Sequence, residues 1–321
     1  MFERICAELH LGMLMSPAIR LHGGFTHRMF RLITDRGDYA VKLLNPDIMT
    51  RPDALDNYRT AEGFETLLEA AGLPILPARV IGGRQLQCVE GQYLYVFDYF
   101  DGRPLQGEEI TPVHCERIGA ALAQIHGVPL PAHSQTDSGS GAPIPWDDLA
   151  AVLLVSAGTR AEGEMLAAAV PQLARRTAAA LDAARRLPPV TALCHNDMDP
   201  KNVLWQGRDF RIIDLECLGG ADPRQELLDL AIAWSHGEAV CFKAFVSSYY
   251  AAGGARLTDA AYVYDSRRNI LDWLAYNARR ALSEDPEERL IAITQIRDSL
   301  TQLQAEEASR AHILHWLTEL S

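Results

Sequence analysis

Alternating apolar and polar positions dominate the first hundred residues, and helical spacing dominates the rest. After a short amphipathic helix expected over 2–14, the segment from Ile19 to Leu44 reads strand, glycine turn, strand, turn, strand. Its pieces are AIRLHGG, FTHRMFRLIT, the turn Asp35-Arg36-Gly37-Asp38, and YAVKLL. Such alternation suits half-buried strands, because side chains switch faces at every residue. In DALDNYRTAEGFETLLEAAG, Leu55, Phe64, Leu67 and Leu68 gather on one side of a helix that Gly72 stops and Pro74 follows. Two further strands are expected near 79–89 and 93–98, running into FDYFDGRPL, where Gly102 and Pro104 end the pattern. The expectation for this part is a five-stranded antiparallel sheet with one main helix.

Beyond residue 110 the apolar period turns helical. It does so in HCERIGAALAQIHG, in the alanine-rich stretch 147–186, in ELLDLAIAWSHGEAVCFKAFVSSYYAAGG, and in a tail from Tyr262 to Leu320. The interval 188–216 is the exception, with short β-like runs in PPVTALCHNDMDPKNVLW and GRDFRIIDLE around a polar loop. A break in local pattern of this kind marks a place where a site can lie. Residues 127–145, rich in Pro, Gly and Ser, read as a long loop. No internal repeat is visible.

Composition narrows the function without naming it. A chain of 321 residues, 48% of them apolar, has material for one bilobal unit or two modest domains. It carries 30 basic against 42 acidic residues, a net charge of −12, which disfavours nucleic acid as a partner and favours cations. The first 100 residues hold 10 basic and 12 acidic side chains and the remainder 20 and 30, so the negative field belongs to the C-terminal two-thirds. The six cysteines, Cys6, Cys88, Cys115, Cys194, Cys217 and Cys241, show no paired spacing and are expected to be reduced and mostly buried. No run approaches the roughly 20 apolar residues of a membrane span, and Glu3 and Glu8 interrupt the apolar start. A cytoplasmic protein with no membrane partner is expected.

The strongest chemical signal is His195-Asn196-Asp197-Met198-Asp199-Pro200-Lys201-Asn202, followed by Ile212-Ile213-Asp214-Leu215-Glu216. Phosphoryl transfer from ATP requires an acceptor hydroxyl to be oriented and its proton accepted, and Mg²⁺ to neutralise charge on the phosphate oxygens. An Asp with an Asn five residues later, plus an Asp at a following strand end, supplies those parts. By itself D-x-x-x-x-N is weak, since polar turns contain it by chance; the preceding His and the apolar strand ending in Asp raise its specificity.

With these residues the sequence resembles the aminoglycoside phosphotransferase and choline kinase-like family, small-molecule kinases whose loop reads H-x-D-x-x-x-x-N before a strand ending I-D-x-E/D. The ordered motifs extend over about residues 20–235. The resemblance implies an α+β, bilobal, protein-kinase-like fold. An N-terminal nucleotide-binding lobe is expected over 1–98, a hinge at 99–102, and a larger, mostly helical lobe over 103–321. It also implies Asp197 as catalytic base, Asn202 and Asp214 as Mg²⁺ ligands, and His195 as a brace for the loop.

Lys42, in Tyr39-Ala40-Val41-Lys42 on the third strand, falls where kinases place the lysine that holds the α- and β-phosphates. Glu62 is its expected carboxylate partner and Glu65 the reserve. The turn His22-Gly23-Gly24-Phe25-Thr26-His27 would cover the phosphates with backbone N–H groups, which makes Gly23, Gly24 and Thr26 nucleotide-binding candidates. Taken alone, two glycines between strands are simply a hairpin. In the hinge, Phe97 would pack beside the adenine and backbone groups of Asp98 and Phe100 would hydrogen-bond it.

The sequence departs from the family pattern at Asp199 and Lys201, where many members have His and Gly. Two roles are open to Asp199, binding a cationic group of the acceptor or pairing with Lys201. Glu216 is open to a second metal, an acceptor amine, or a plain structural place at the surface. Asp229, in ELLDLA, is a candidate anchor of the catalytic loop from below. His126 reads as a helix-terminal structural histidine, and Arg279 with Arg280 as a solvated helix face. Tyr262, Tyr264, Trp273 and Tyr276 are candidates for an acceptor pocket, with core packing the simpler account of any one of them.

The leading expectation is an ATP- and Mg²⁺-dependent kinase, GTP not being excluded, that acts on a hydroxyl of a small molecule, for which an amine-bearing, aminoglycoside-like acceptor is favoured. Choline, homoserine and sugar kinases are alternatives within the class. A catalytically silent pseudokinase acting as a binding module is the competing class. A protein kinase is disfavoured, because Asp214-Leu215-Glu216 stands in place of D-F-G and no A-P-E segment is found.

Overall fold

A computed structural model of the chain describes residues 1–21, 27–131 and 142–320. Five strands, β1 (Ile19–Leu21), β2 (Arg28–Thr34), β3 (Gly37–Leu43), β4 (Gln87–Val89) and β5 (Gln92–Asp98), form an antiparallel sheet in the order β1-β2-β3-β5-β4. The alternation in β3 has a direct consequence. Tyr39, Val41 and Leu43 enter an apolar layer that Ile5 and Cys6 of helix α1 (Phe2–Glu8) help to close. Ala40 and Lys42, one residue out of step, line the cleft on the opposite face.

Helices α2 (Pro46–Met49) and α3 (Ala54–Ala70) follow. The buried stripe of α3 is Ala54, Tyr58, Ala61, Phe64, Glu65 and Leu68, whereas Leu55 and Leu67 are only partly buried. The helical period was therefore legible, but smaller residues take several of the inner positions. The N-terminal helix is shorter than its apolar pattern, since His10 (φ 55°) and Gly12 (φ 103°) leave the right-handed region. The strand expected at 79–89 shrinks to β4, because Ile81 and Arg84 close a turn on Gly82 (φ 60°) and Gly83 (φ 80°).

The second lobe contains α4 (Pro112–His126), α5 (Trp146–Val155), α6 (Arg160–Arg186), α7 (Pro223–Ser235), α8 (Ala239–Ala251), α9 (Ala260–Ser266), α10 (Asn269–Arg280) and α11 (Pro286–Thr318). The stretch 147–186 is two helices, interrupted near Gly158 (φ 83°). One core joins α4, α7 and α8 through Leu122, Leu228, Trp234 and Phe242. A second joins α5, α6, α10 and α11 through Leu153, Leu166, Leu274 and Ile296. Arg280 is not on a solvated face: it is buried, and its guanidinium meets Glu288 at 2.6 Å. The first turn of α11, where Glu288 sits, folds back on the end of α10 and covers it.

Two small ladders frame the polar interval. β6 (Ala192–Cys194) pairs with β9 (Gly219–Ala221), and β7 (Val203–Gln206) with β8 (Asp209–Ile212). The β7–β8 hairpin is stitched to the chain on both sides of the sheet. Leu76 and Pro74 exchange backbone bonds with Ile212, and Arg103 exchanges a pair with Trp205. All six cysteines are free, with Cys88 and Cys217 exposed rather than buried. No helix among the described residues is long and apolar enough to cross a membrane.

Candidate active site

Between the sheet and the helical lobe, the described residues enclose a cleft of about 1200 Å³. That exceeds the roughly 300–1,000 Å³ of a pocket for one ligand and leaves room for two reactants. Its floor is built from two segments laid side by side, the loop from β6 to β7 and the turn from β8 to β9. Ile213 N–H donates to the Asn202 carbonyl at 3.0 Å, and Asn196 Nδ2 donates to the Cys217 carbonyl at 2.8 Å. These bonds bring the loop carrying Asp197 and Asn202 against the turn carrying Asp214 and Glu216.

His195 is fully buried in this floor. Its Nε2 lies 3.2 Å from the Ile213 carbonyl, and its Nδ1 receives the Asp197 backbone N–H at 3.3 Å. Both bonds are satisfied by the tautomer with its hydrogen on Nε2. Asn202 commits its Nδ2 group to Asp197, with bonds of 2.8 Å to the carbonyl and 2.9 Å to Oδ2. Those two bonds set the orientation of the amide and leave its oxygen as the free end. A carbonyl oxygen from Asn202 and a carboxylate from Asp214 are hard donors of the kind Mg²⁺ prefers, so the residues present fit a divalent cation bound with phosphate oxygens. Asp214 itself sits in the left-handed region (φ 64°), which a short polar residue tolerates.

Asp197 is pushed above the ordinary aspartate range by burial, an effect that the Lys201 ammonium opposes and that Asp199 and Asp214 reinforce. Lys201 donates to Asp197 Oδ1 at 2.6 Å and to Asp199 Oδ2 at 3.2 Å. Lys42 is buried, and its ammonium bonds Asp214 and, at 2.6 Å, Glu216 Oε2. Burial works against the charged lysine, yet the two carboxylates more than offset it and raise its pKa. Burial would likewise raise the Glu216 carboxyl, but Lys42 and a 3.0 Å contact with His27 hold it down at about 2.

Several expectations need correction. Glu62 does not pair with Lys42: its Oε1 accepts from Leu86 N–H at 2.9 Å and from the Tyr95 hydroxyl at 3.0 Å. Glu65 accepts from Ala78 N–H at 2.7 Å. Both α3 carboxylates serve the segment leading into β4 and β5, and Glu216, which is neither exposed nor free, occupies their place beside the lysine. Asp229 does not anchor the catalytic loop either. It pairs with Arg267 and, at 2.6 Å, with Asn269 Nδ2, tying α7 to the start of α10.

The loop anchor is Glu226, one turn earlier on α7. Its Oε1 accepts from Asn196 N–H at 2.5 Å and its Oε2 from His195 N–H at 3.3 Å and His126 Nε2 at 2.8 Å. His126 Nδ1 in turn meets the Tyr249 hydroxyl at 2.8 Å. Burial, the largest single influence, would raise Glu226, but the His126 bond, the charges of His126 and His195 and the Asn196 N–H together outweigh it and lower the pKa. Only its place in the first turn of a buried helix hinted at this role in sequence. Ligand-type atoms of His126, Cys194 and Glu226 lie within 4.8 Å of one another, and this hydrogen-bonded anchor accounts for their closeness.

Phe97 and Phe100 line the cleft beside Ala40, Met29, Tyr99 and Leu204. The Asp98 side chain points elsewhere, to Arg79. Gly23, Gly24 and Thr26 lie outside the described residues. On the side away from the sheet, the wall carries Asp199, Asp229, Asp272, Asp298 and Glu306 together with Trp273 and Tyr276. The rings of the last two stack with centroids 5.5 Å apart. Tyr264 is instead a core residue, its hydroxyl donated to the Glu306 carbonyl, and Tyr262 meets Arg186 at the surface.

Against this geometry, a model of the phosphotransferase enzyme family matches residues 18–260. The chain belongs to that family. The fold of this phosphotransferase recurs in solved structures. A spectinomycin phosphotransferase in complex with ADP and spectinomycin superposes with a TM-score of 0.73 at 15% identity, covering 92% of this chain and 93% of the other. A choline/ethanolamine kinase family protein from Mesorhizobium loti gives 0.64 at 20% identity, covering 98% of both chains. An amicoumacin kinase in complex with AMP-PNP and Ca²⁺ gives 0.60 at 12% identity, covering 93% and 92%. No curated protein matches the sequence.

Proposed function

We propose that this phosphotransferase is an ATP- and Mg²⁺-dependent kinase that phosphorylates a hydroxyl group of a small cationic molecule. One observation carries the reading: Lys42, Asp197, Asn202 and Asp214, spread over 173 positions of sequence, line a single cleft. Lys42 is placed for the α- and β-phosphates, with Phe97 and the backbone at Asp98 and Phe100 for the base. Asn202 and Asp214 would hold the cation. Mg²⁺, when bound, supplies positive charge to the phosphate oxygens.

The acceptor oxygen bonds to the γ-phosphorus as the bond to the β,γ-bridging oxygen breaks, and ADP leaves with that electron pair. Asp197 orients the hydroxyl and takes its proton, a contribution of about 10²–10⁴-fold for a general base. The acceptor class follows from the far wall. Of its five carboxylates, Asp199, Asp229, Asp272 and Glu306 meet Lys201, Arg267, Arg268 and Arg176, so Asp298 and the net charge of −12 are what favour a cation. The Trp273–Tyr276 stack offers a ring face to an alkylammonium or sugar ring.

The test is a coupled ADP-release screen with ATP and Mg²⁺ against aminoglycosides, other amine-bearing antibiotics, choline, amino alcohols and neutral sugars. A saturable response confined to amine-bearing compounds is expected, and Asp197→Ala should abolish it while AMP-PNP still binds. Undiminished transfer by that variant removes Asp197 from its role; a response only to neutral sugars overturns the acceptor class.

A further inference from the structure

Lysine is rare in this chain. Only Lys42, Lys201 and Lys243 occur among its 30 basic residues, arginine supplying the others, and two of the three line the cleft. Lys42 pairs with Asp214 and Glu216 on the nucleotide side, which leaves one of its three N–H donors for a phosphate. Lys201 stands across the floor from it, its side chain 39% exposed, on the short helical turn Pro200–Asn202 that also orients Asn202. The backbone of that turn is held by Asn202 N–H on the Asp199 carbonyl at 2.9 Å, so the stem of Lys201 leaves from a fixed base. Its ammonium reaches 2.6 Å from one oxygen of Asp197, while the other oxygen is bonded by Asn202 at 2.9 Å.

This arrangement bears on a charge problem inherent in the transfer. A carboxylate base has to stand beside a γ-phosphoryl group whose oxygens are themselves negative, and Asp199 adds a third anion to the same spot. Lys42 is committed to a different pair of acids. The ammonium of Lys201 is the cation already in contact with the base, and it is compact and free to turn among several oxygens, where a planar guanidinium would demand a fixed fork.

Building on the phosphoryl-transfer reading above, we propose that Lys201 is a catalytic residue: its ammonium leaves Asp199 and bridges Asp197 and the γ-phosphoryl group of the bound nucleotide. Asp199 is then the partner that holds the ammonium when no triphosphate is present. During transfer the new bond from acceptor oxygen to phosphorus forms, the bond to the bridging oxygen breaks, and the acceptor proton goes to Asp197. Lys201 keeps its own protons throughout and follows the moving phosphoryl charge.

The experiment needs no knowledge of the acceptor. Calorimetric titration of the full chain with AMP-PNP or ADP, each with Mg²⁺, is compared for wild type, Lys201→Met, Asp197→Asn and the double variant. A lost bond between charged groups is worth about tenfold or more in affinity. Lys201→Met is expected to weaken AMP-PNP by that factor and leave ADP unchanged, and to do so again in the Asp197→Asn background. Unchanged AMP-PNP affinity overturns the proposal. So does an equal loss for both nucleotides, which marks a merely structural residue. A loss that disappears in the Asp197→Asn background also overturns it, because Lys201 then acts only by screening the carboxylate. Wild-type protein that binds neither nucleotide would bring down the kinase reading itself, a failure distinct from these.

Discussion

At the scale of single residues, the site depends on carboxylates that differ only in what surrounds them. Asp197 meets an ammonium and an amide, Asp214 an ammonium, and Glu226 two backbone N–H groups and an imidazole. The last is the least visible in sequence and structurally the most demanding. In Glu226→Gln one terminal atom becomes an NH₂ facing groups that are themselves donors. A loss of about 2–4 kcal/mol in urea unfolding is expected, as for buried donors left without an acceptor, together with a lower kcat as the loop loosens. Wild-type midpoint and turnover would show that the loop is held elsewhere. The motif residues were legible because a loop of eight residues brings them together whatever the rest of the chain does. The partner of Lys42 was not, since a helix offers Glu62 and Glu65 with equal plausibility and only the donors at Leu86, Tyr95 and Ala78 decide where they turn.

At the scale of elements, the crossing of α4 and α8 in the larger lobe supports the loop that carries His195 and Asp197. α4 ends at His126, α8 carries Tyr249, and both support Glu226. Gly119 lets the two helices approach, since a Cβ there would lie 2.2 Å from the Phe245 carbonyl oxygen. That neighbour is backbone and cannot turn aside. Gly119→Ala should cost about 1–3 kcal/mol through overpacking, read by chemical denaturation, and should displace His126 from Glu226. An unaltered midpoint would mean that the crossing has slack. The apolar periods announced both helices, but a glycine inside a helix does not announce which backbone it faces.

For the whole molecule, burial of ionisable groups ties stability to pH. Glu65 is pushed up to about 7, chiefly by burial, against an ordinary value of 4.5. The folded form therefore binds a proton that the unfolded chain has already released. The stability this proton confers is complete below about pH 4.5 and is lost as pH rises through about 7, an effect of roughly 3 kcal/mol. Glu65→Gln, a mimic of the neutral acid, should gain on wild type between pH 5 and 8 in thermal or urea unfolding. Parallel curves across that range would mean that Glu65 is ionised throughout at no cost.

Local chemistry alone determined that the chain opens with paired strands, continues in amphipathic helices and interrupts them with the polar loop that carries His195, Asp197 and Asn202. Backbone periodicity and motif spacing depend on neighbours in sequence, so they can be read without coordinates. Which carboxylate meets Lys42, which acid on α7 carries the loop, and which aromatics reach the cleft were decided only by tertiary packing. Each of those choices rests on distance between segments far apart in sequence, and burial then sets how strongly the chosen partners interact.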